Sequence, residues 1–418
     1  MSLDLYDLKR SGNPDRMPEF LRRRMDHFYL QRWRKDWRGR HIMRGAMPGK
    51  NSIQLVSNDY LALANHPEII SAQVESLQSS GQGVLMSAIF LHGDNPQARL
   101  EDDLADYAGF SGAVLCQSGY AANTGLLQAI ASEGVPVYID MIAHASLWEG
   151  VHSAGATARP FRHNDLQHLE RQLVRYGPGV LCVDSIYSTN GSLCPLGEMV
   201  ELAREYGCLI VVDESHSLGV LGPNGGGLVR ELGLESKVDF MTASLAKAFA
   251  GRAGVVLCPK DFVDYFCFTS RPAIFSSCLL PHEIAGMAKT LEIIRRDQWR
   301  RDALMCNARM LREGLDELGY NVDESQSQII ALEAGFEADT QRLREALEER
   351  DIFASVFCAP ATGAKRSLLR LSVHAALGTD EIRRILDACA DIREETAMES
   401  WPSTKRKQQR EAAIRVAI

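Results

Sequence analysis

Two strand ends hold residue types that could do chemistry. The run Leu209-Ile210-Val211-Val212-Asp213-Glu214-Ser215-His216 is apolar until it ends in a carboxylate, with a histidine three residues later. Further on, Thr242-Ala243-Ser244-Leu245-Ala246-Lys247 closes a second run on a lysine flanked by Leu245, Ala246, Ala248, Phe249 and Ala250. Apolar surroundings lower a lysine's pKa and make its neutral, nucleophilic amine accessible. A carboxylate at a neighbouring strand end could pair with a protonated pyridine-type nitrogen and keep that ring electron-poor. Singly, each signal has an ordinary explanation, since strand-end aspartates cap loops and most lysines are solvated charges. In this order on one sheet edge they make a much more specific pair.

Other positions raise the same question. Ser118-Gly119-Tyr120 falls between a strand and a helix, where backbone N–H groups and the helix dipole suit a phosphate. An ordinary strand-to-helix turn would read the same way. Gly119 removes side-chain bulk where a backbone must approach. His144, in Ala143-His144-Ala145-Ser146, is either a satisfied core imidazole or a ligand-facing one. Arg370, in Leu369-Arg370-Leu371-Ser372, is either a surface strand arginine or a planar, two-pronged grip for a carboxylate.

These residues need a scaffold. Strands are predicted at 113–116, 135–139, 179–184, 208–213, 240–242 and 254–258, with helices at 120–131, 144–153 and 196–206. Strands without polar alternation, separated by helices, imply an α/β fold with a mostly parallel sheet covered on both faces. Ligands of such sheets sit at the carboxyl ends of the strands. A long helix over 281–296 leads out of this unit. Strands at 327–333 and 367–373, with helices at 339–349 and 379–394, make a small α+β unit. The expected organisation is an N-terminal arm at 1–51, a large domain at 52–285, a small C-terminal domain at 286–396 and a tail at 397–418. The basic tail reads as a loose appendage. The arm is arginine-rich from Arg22 to Arg44, and is either a solvated helix or a surface attracting phosphates.

Composition bounds the partners. In 418 residues, 54 acidic against 46 basic side chains give a net charge of −8, which argues against nucleic acid. No apolar run reaches the length of about 18 residues that a membrane span needs. The N-terminus lacks the apolar centre of a secretory signal. The 10 scattered cysteines, without a CxxC pair, read as buried thiols of a cytoplasmic protein, and as neither a disulfide framework nor a metal site.

Asp213-x-x-His216, Ser244-x-x-Lys247 and the Gly-Tyr after the first strand resemble the fold-type I pyridoxal-phosphate enzymes, specifically the α-oxoamine synthases. The resemblance runs from about Ser57 to Ser372. The runs SNDYLALANHP, VDSIYST, VDESHSLG, GPNG, MTASLAK and PAIFSS are most similar to the branch that makes quorum-sensing α-hydroxyketone autoinducers. It implies a large sheet domain plus a small C-terminal one, with pyridoxal 5′-phosphate as cofactor. Lys247 would be the Schiff-base lysine that also moves the Cα proton. Asp213 would pair with the pyridine nitrogen, His216 contact the ring's 3′ oxygen and His144 stack on the ring. Ser118, Gly119, Tyr120 and Ser244 match the phosphate site, and Ser276 or Ser277 a phosphate contact from a second subunit. Asp184 and Ser188 match polar neighbours of the ring. Arg370 matches the grip on the amino-acid carboxylate, with Asn58 and Phe90 also expected to bind substrate. The implied reaction joins an amino acid (2-aminobutyrate or S-adenosylmethionine in this branch) to a medium-chain acyl-CoA, releasing CoA and CO2 to leave an amino ketone. It implies a homodimer with shared sites.

Departures from the family pattern narrow the reading. Gly83-Val84-Leu85-Met86-Ser87-Ala88-Ile89-Phe90-Leu91 is bulky where relatives carry Gly, Ser and Arg, and Gln97 replaces a His. Ala246, Ala250 and Arg252 stand where glycines are frequent. These changes count against glycine as amino substrate and fit a longer acyl chain. The apolar loop either lines an acyl tunnel or packs on the dimer partner. Two rivals stay open: another α-oxoamine synthase, such as an 8-amino-7-oxononanoate synthase, and a cofactor-binding regulator without turnover. The complete lysine–aspartate–histidine set speaks against the second.

Overall fold

The computed structural model describes residues 17–417, so the first 16 residues of the arm and Ile418 lie outside the described residues. In chain order the strands are β1 (Ile53–Leu55), β2 (Gly112–Cys116), β3 (Pro136–Asp140), β4 (Thr157–Phe161), β5 (Val180–Asp184), β6 (Leu209–Asp213), β7 (Phe240–Ser244), β8 (Gly254–Cys258), β9 (Ile329–Gly335), β10 (Ile352–Phe357) and β11 (Ser367–Ser372). Seven of them form the larger sheet in the order β2-β8-β7-β6-β5-β3-β4. Only β8 runs against its neighbours; the other pairs are parallel. β5 is buried at every residue, and the sheet is covered on both faces, as its unbroken apolar pattern requires.

Register fixes the site. Asp184 lies opposite Asp213 where β5 and β6 end, and Asp213 lies opposite Thr242 on β7. Three polar side chains therefore share one carboxyl edge.

The sequence reading misses β4, an edge strand whose Thr-Ala-Arg-Pro-Phe pattern is half exposed and gives no apolar run. It also misses β1, β10 and the helix Gln298–Glu317. β1, assigned above to the large domain, pairs in parallel with β10 in the second sheet, β1-β10-β11-β9. The boundary expected at 285 falls inside the helix Pro281–Arg296.

The loose tail is corrected. Residues Pro402–Ala417 form a helix seated on the small domain. Trp401 is buried, with its indole N–H donated to Thr396 O at 3.0 Å. Lys407 Nζ donates to Tyr320 O at 3.0 Å and to Asp316 Oδ1 at 2.5 Å. Burying the indole and satisfying a buried ammonium hold down a segment whose local sequence reads as polar. The arm is likewise not fully solvated: Arg32 and the Trp37 indole both donate to Glu337, at 2.9 and 2.8 Å. Among the described residues no helix is long and apolar enough to cross a membrane. All ten cysteines are free, and most are buried.

Candidate active site

Asp213 ends β6 almost fully buried. Its Oδ1 accepts the Ser215 N–H at 2.8 Å and its Oδ2 accepts Asn123 Nδ2 at 2.6 Å. Asn123 is one turn into the helix Gly119–Ile130 and is completely used. Its Nδ2 also donates to Ser146 Oγ at 2.9 Å, and its Oδ1 accepts the Thr242 hydroxyl at 2.6 Å. Ser146 Oγ, having accepted from Asn123, donates to His144 Nδ1 at 2.6 Å. The Ser146 N–H points at the same nitrogen, at 3.3 Å. With Nδ1 an acceptor, the network assigns the proton of neutral His144 to Nε2. His144 in turn caps the helix Ala145–Ser153, and its own N–H goes to Asp184 Oδ2 at 3.0 Å. Burial, with Asp213 and Asp140 nearby, raises the Asp184 carboxyl well above its usual range.

A second chain of contacts runs from β11. Arg370 is buried; its Nη1 donates to Ser188 O at 2.7 Å and its Nη2 to Asn58 Oδ1 at 2.6 Å. Its Nε is buried without a hydrogen-bond partner, and no carboxylate pairs with it among the described residues. Tyr60 Oη lies 3.3 Å from Asn58 Oδ1 and 2.6 Å from His216 Nδ1. Burial pushes the Tyr60 hydroxyl up to about 12, so it keeps its proton and gives it to the closer imidazole nitrogen. His216 therefore presents Nε2–H as a donor. Burial first, then the nearby cationic groups Lys247 and Arg370, hold His216 well below its usual range.

Lys247 follows β7 and is half buried behind Leu245, Ala248 and Phe249. Among the described residues no hydrogen bond or ion pair engages its amine. Burial and Arg370 lower its pKa, and Asp213 opposes them. Across from it, Ser118 caps the helix Gly119–Ile130, its Oγ accepting the Ala121 N–H at 3.1 Å. Gly119 is required here: a Cβ would meet Ser244 Cβ at 2.6 Å and Ser244 Cα at 2.9 Å. The turn thus rests directly on the end of β7.

Lys247, Asp213, His216, His144, Asp184, Ser188, Ser118, Gly119, Ser244, Asn58 and Arg370 thus come from both domains to one sheet edge. Tyr120, in the first turn of its helix, is half exposed. Ser276 bonds Pro272 O, while Ser277 O accepts Gln117 Nε2 at 2.8 Å beside the Ser118 turn. Phe90 is not brought to this set. It sits half exposed on the 84–91 loop, which is pinned to the 276–278 segment by a Ser87–Ser277 bridge and the Cys278 N–H to Met86 O bond. Sequence reasoning misses Tyr60, Asn123, Ser146 and Thr242. Tyr60 lies in a quoted motif without a role; Asn123 has no local signal, because its importance comes from a helix laid across β6 and β7.

His216 gives a pH test. An unfolded histidine titrates near 6.5, the folded one lower, so on acidification the unfolded chain takes up the proton first. Its contribution to stability is complete above that value and is lost as pH falls towards the folded pKa. Below about pH 6.5, denaturant melts should show the native chain losing up to about 1.4 kcal/mol per pH unit relative to His216→Gln. Parallel curves would mean the imidazole is not held neutral by burial.

A family model described as aminotransferase class I and II matches residues 50–389. The chain belongs to that family. It is 45% identical over 375 residues to a CAI-1 autoinducer synthase of Vibrio campbellii, covering 90% of this chain and 95% of that protein. It is 30% identical to an 8-amino-7-oxononanoate synthase of Symbiobacterium thermophilum, over 85% of this chain and 92% of the relative. A serine palmitoyltransferase from S. paucimobilis, solved with PLP and myriocin bound, superposes with a TM-score of 0.81 at 28% identity. That match covers 86% of this chain and 91% of the other. The α-oxoamine synthase resemblance and the fold-type I architecture both hold.

Proposed function

We propose that this chain is a pyridoxal-phosphate-dependent acyltransferase that condenses an amino acid with a medium-chain acyl-CoA. The amino ketone it releases, with CoA and CO2, is the precursor of an α-hydroxyketone autoinducer. One observation carries the reading: an unpartnered, half-buried Lys247 amine is acted on by both a buried carboxylate, Asp213, and a buried guanidinium, Arg370, that lacks a carboxylate of its own among the described residues. The cofactor fits these residues. The Ser118-Gly119 turn and Ser244 offer donors for its phosphate, Asp213 a partner for its ring nitrogen, and His216 Nε2–H a donor for its ring oxygen. When bound, pyridoxal phosphate withdraws the electrons left at the amino acid's Cα when a bond there breaks.

The chain's own residues do the rest. Arg370, with its unsatisfied Nε, holds the substrate carboxylate, and Asn58 and Ser188 O keep the guanidinium in place. The Lys247 amine takes the Cα proton, and burial, the first cause of its lowered pKa, makes the unprotonated form that can act as a base more accessible. Asn123 and the Ser215 N–H fix the orientation of the Asp213 carboxyl, which would serve as the partner of the ring nitrogen. Ser276 or Ser277 reaches the phosphate of a second subunit, which makes the working form a homodimer in the cytosol.

Identity to an autoinducer synthase at 45%, against 30% for an 8-amino-7-oxononanoate synthase, favours a medium-chain substrate. With 2-aminobutyrate or S-adenosylmethionine as donor, decanoyl-CoA should exceed acetyl-CoA in kcat/KM by at least roughly tenfold, each buried methylene contributing about 0.8 kcal/mol. Product mass spectrometry checks it, and a preference for acetyl or dicarboxylic thioesters would overturn the assignment.

A further inference from the structure

After β5 the chain folds into a tight turn, Tyr187–Ser192. Tyr187 N–H donates to Ser192 O at 3.0 Å and Gly191 N–H to Tyr187 O at 2.9 Å. The tip of the turn faces the small domain. Besides Ser188 O, which accepts Arg370 at 2.7 Å, Asn190 O accepts Ser325 Oγ at 2.8 Å and Gly191 O accepts Ser327 Oγ at 2.9 Å. The base of the turn is held by the large domain through one fully buried carboxylate, Asp140, which ends β3. Tyr187, at the start of the turn, donates its hydroxyl to Asp140 Oδ2 at 3.0 Å. Ser192, at its end, is reached through His163. The Nδ1 of that ring lies 3.1 Å from Asp140 Oδ2, and its Nε2 lies 2.9 Å from Ser192 Oγ. Asp140 also accepts the backbone N–H groups of Ile142 and Asn164, at 2.9 and 3.0 Å. A carboxylate so occupied acts as an acceptor, so His163 carries a proton on Nδ1. In the neutral ring Nε2 then accepts the Ser192 hydroxyl. The His163 ring also stands edge-on to Tyr187, with centroids 4.4 Å apart. Both ends of the turn are thus tied to Asp140, and its middle orients Arg370.

We propose that His163 and Asp140 are positioning residues for the amino-acid substrate, clamping the Tyr187–Ser192 turn so that Ser188 O holds Arg370 in its carboxylate-gripping orientation. The proposal rests on the reading of Arg370 given above. Among the described residues two hydrogen bonds orient that guanidinium, from Nη1 to Ser188 O and from Nη2 to Asn58 Oδ1. A planar, two-pronged grip is sensitive to angle, and a misplacement of about 1 Å costs on the order of 10²-fold. Asn58 presents a side-chain oxygen, whereas Ser188 presents a backbone carbonyl. The place of a turn carbonyl is set by whatever holds the turn, and here that is Asp140, directly through Tyr187 and through His163 to Ser192.

The test compares 2-aminobutyrate with propylamine, the same skeleton without its carboxylate. Each is titrated into the pyridoxal-phosphate-loaded enzyme without acyl-CoA and followed by the absorbance of the bound cofactor. His163→Leu should weaken 2-aminobutyrate roughly tenfold or more and leave propylamine unchanged, because only the carboxylate meets Arg370. The same variant should raise the amino-acid KM and leave kcat at saturation near wild type, as loss of uniform binding does. His163→Gln, which keeps a donor and an acceptor, should recover part of the affinity. In an Arg370→Gln background His163→Leu should add little, the non-additivity expected of residues acting through one another. Unchanged 2-aminobutyrate affinity overturns the proposal, and so does an equal loss for both amines, which would mark a purely structural role. If His163→Leu does not fold, Tyr187→Phe carries the same test, since it removes only the hydroxyl bonded to Asp140. Ketone formation from decanoyl-CoA is measured on the same wild-type sample. Its absence, with 2-aminobutyrate bound no better than propylamine, sinks the functional reading itself. Normal turnover with no effect of either variant sinks only this assignment.

Discussion

Lys247→Ala is expected to lower turnover by roughly 10⁴-fold or more, the upper range for removing a positioned general base. The structure gives the reason. The amine sits among the buried Leu245, Ala248 and Phe249, with burial and Arg370 acting together to lower its pKa against the opposing pull of Asp213. Among the described residues no other lysine lies on this sheet edge, and the neighbouring imidazoles already have Nδ1 committed, His144 to Ser146 and His216 to Tyr60. The wild-type protein should be yellow when purified with cofactor, and borohydride should fix that cofactor covalently on a peptide containing Lys247. The alanine variant should retain cofactor only through non-covalent contacts and lose it on dialysis. An added small amine should restore part of the rate, since the missing group is a base and the pocket around it is intact. A variant that turns over within tenfold of wild type, or a borohydride adduct on another lysine, would move the chemistry away from Lys247.

How much of this was legible follows from how local each signal is. β6 announces itself as an unbroken apolar run ending in Asp213, because a buried parallel strand carries no polar alternation, and β7, a short run broken by Thr242 and Ser244, ends just before Lys247. The Ser118-Gly119 turn is similarly local, although only the packing shows why glycine is needed against Ser244. Asn123 and Tyr60 are a different case. Each is one polar residue in an ordinary context, and each matters through partners far away in sequence: Asn123 through Asp213, Ser146 and Thr242, Tyr60 through His216. The tail was misread for the same reason. Its basic composition predicts solvation, yet Trp401 and Lys407 find burial and carbonyl partners only once the small domain exists. The apolar 84–91 loop was legible as unusual; within one protomer it is pinned to the 276–278 segment and Phe90 stays half exposed.

Asp213→Asn should lower turnover on the order of 10²- to 10³-fold, the range seen when one electrostatic stabiliser is removed from a dry site. Charge is the first cause. A carboxylate favours a protonated ring nitrogen, and a neutral amide does not, so the ring withdraws electrons less well. Orientation is the second. The native carboxylate accepts from Ser215 N–H on one oxygen and from Asn123 Nδ2 on the other. An asparagine offers only one acceptor oxygen, so one of those donors must face an NH2 group. That leaves a buried donor unsatisfied and costs about 1–3 kcal/mol of stability. The two causes separate by experiment. Asn123→Leu removes the orienting contact and keeps the charge, so it should lower stability by a similar amount but turnover by clearly less than Asp213→Asn. If Asn123→Leu and Asp213→Asn lose turnover equally, the orientation of the carboxylate matters as much as its charge. If Asp213→Asn keeps near-native turnover with cofactor bound, another residue partners the ring, and β6 does not end in the electrostatic anchor of this site.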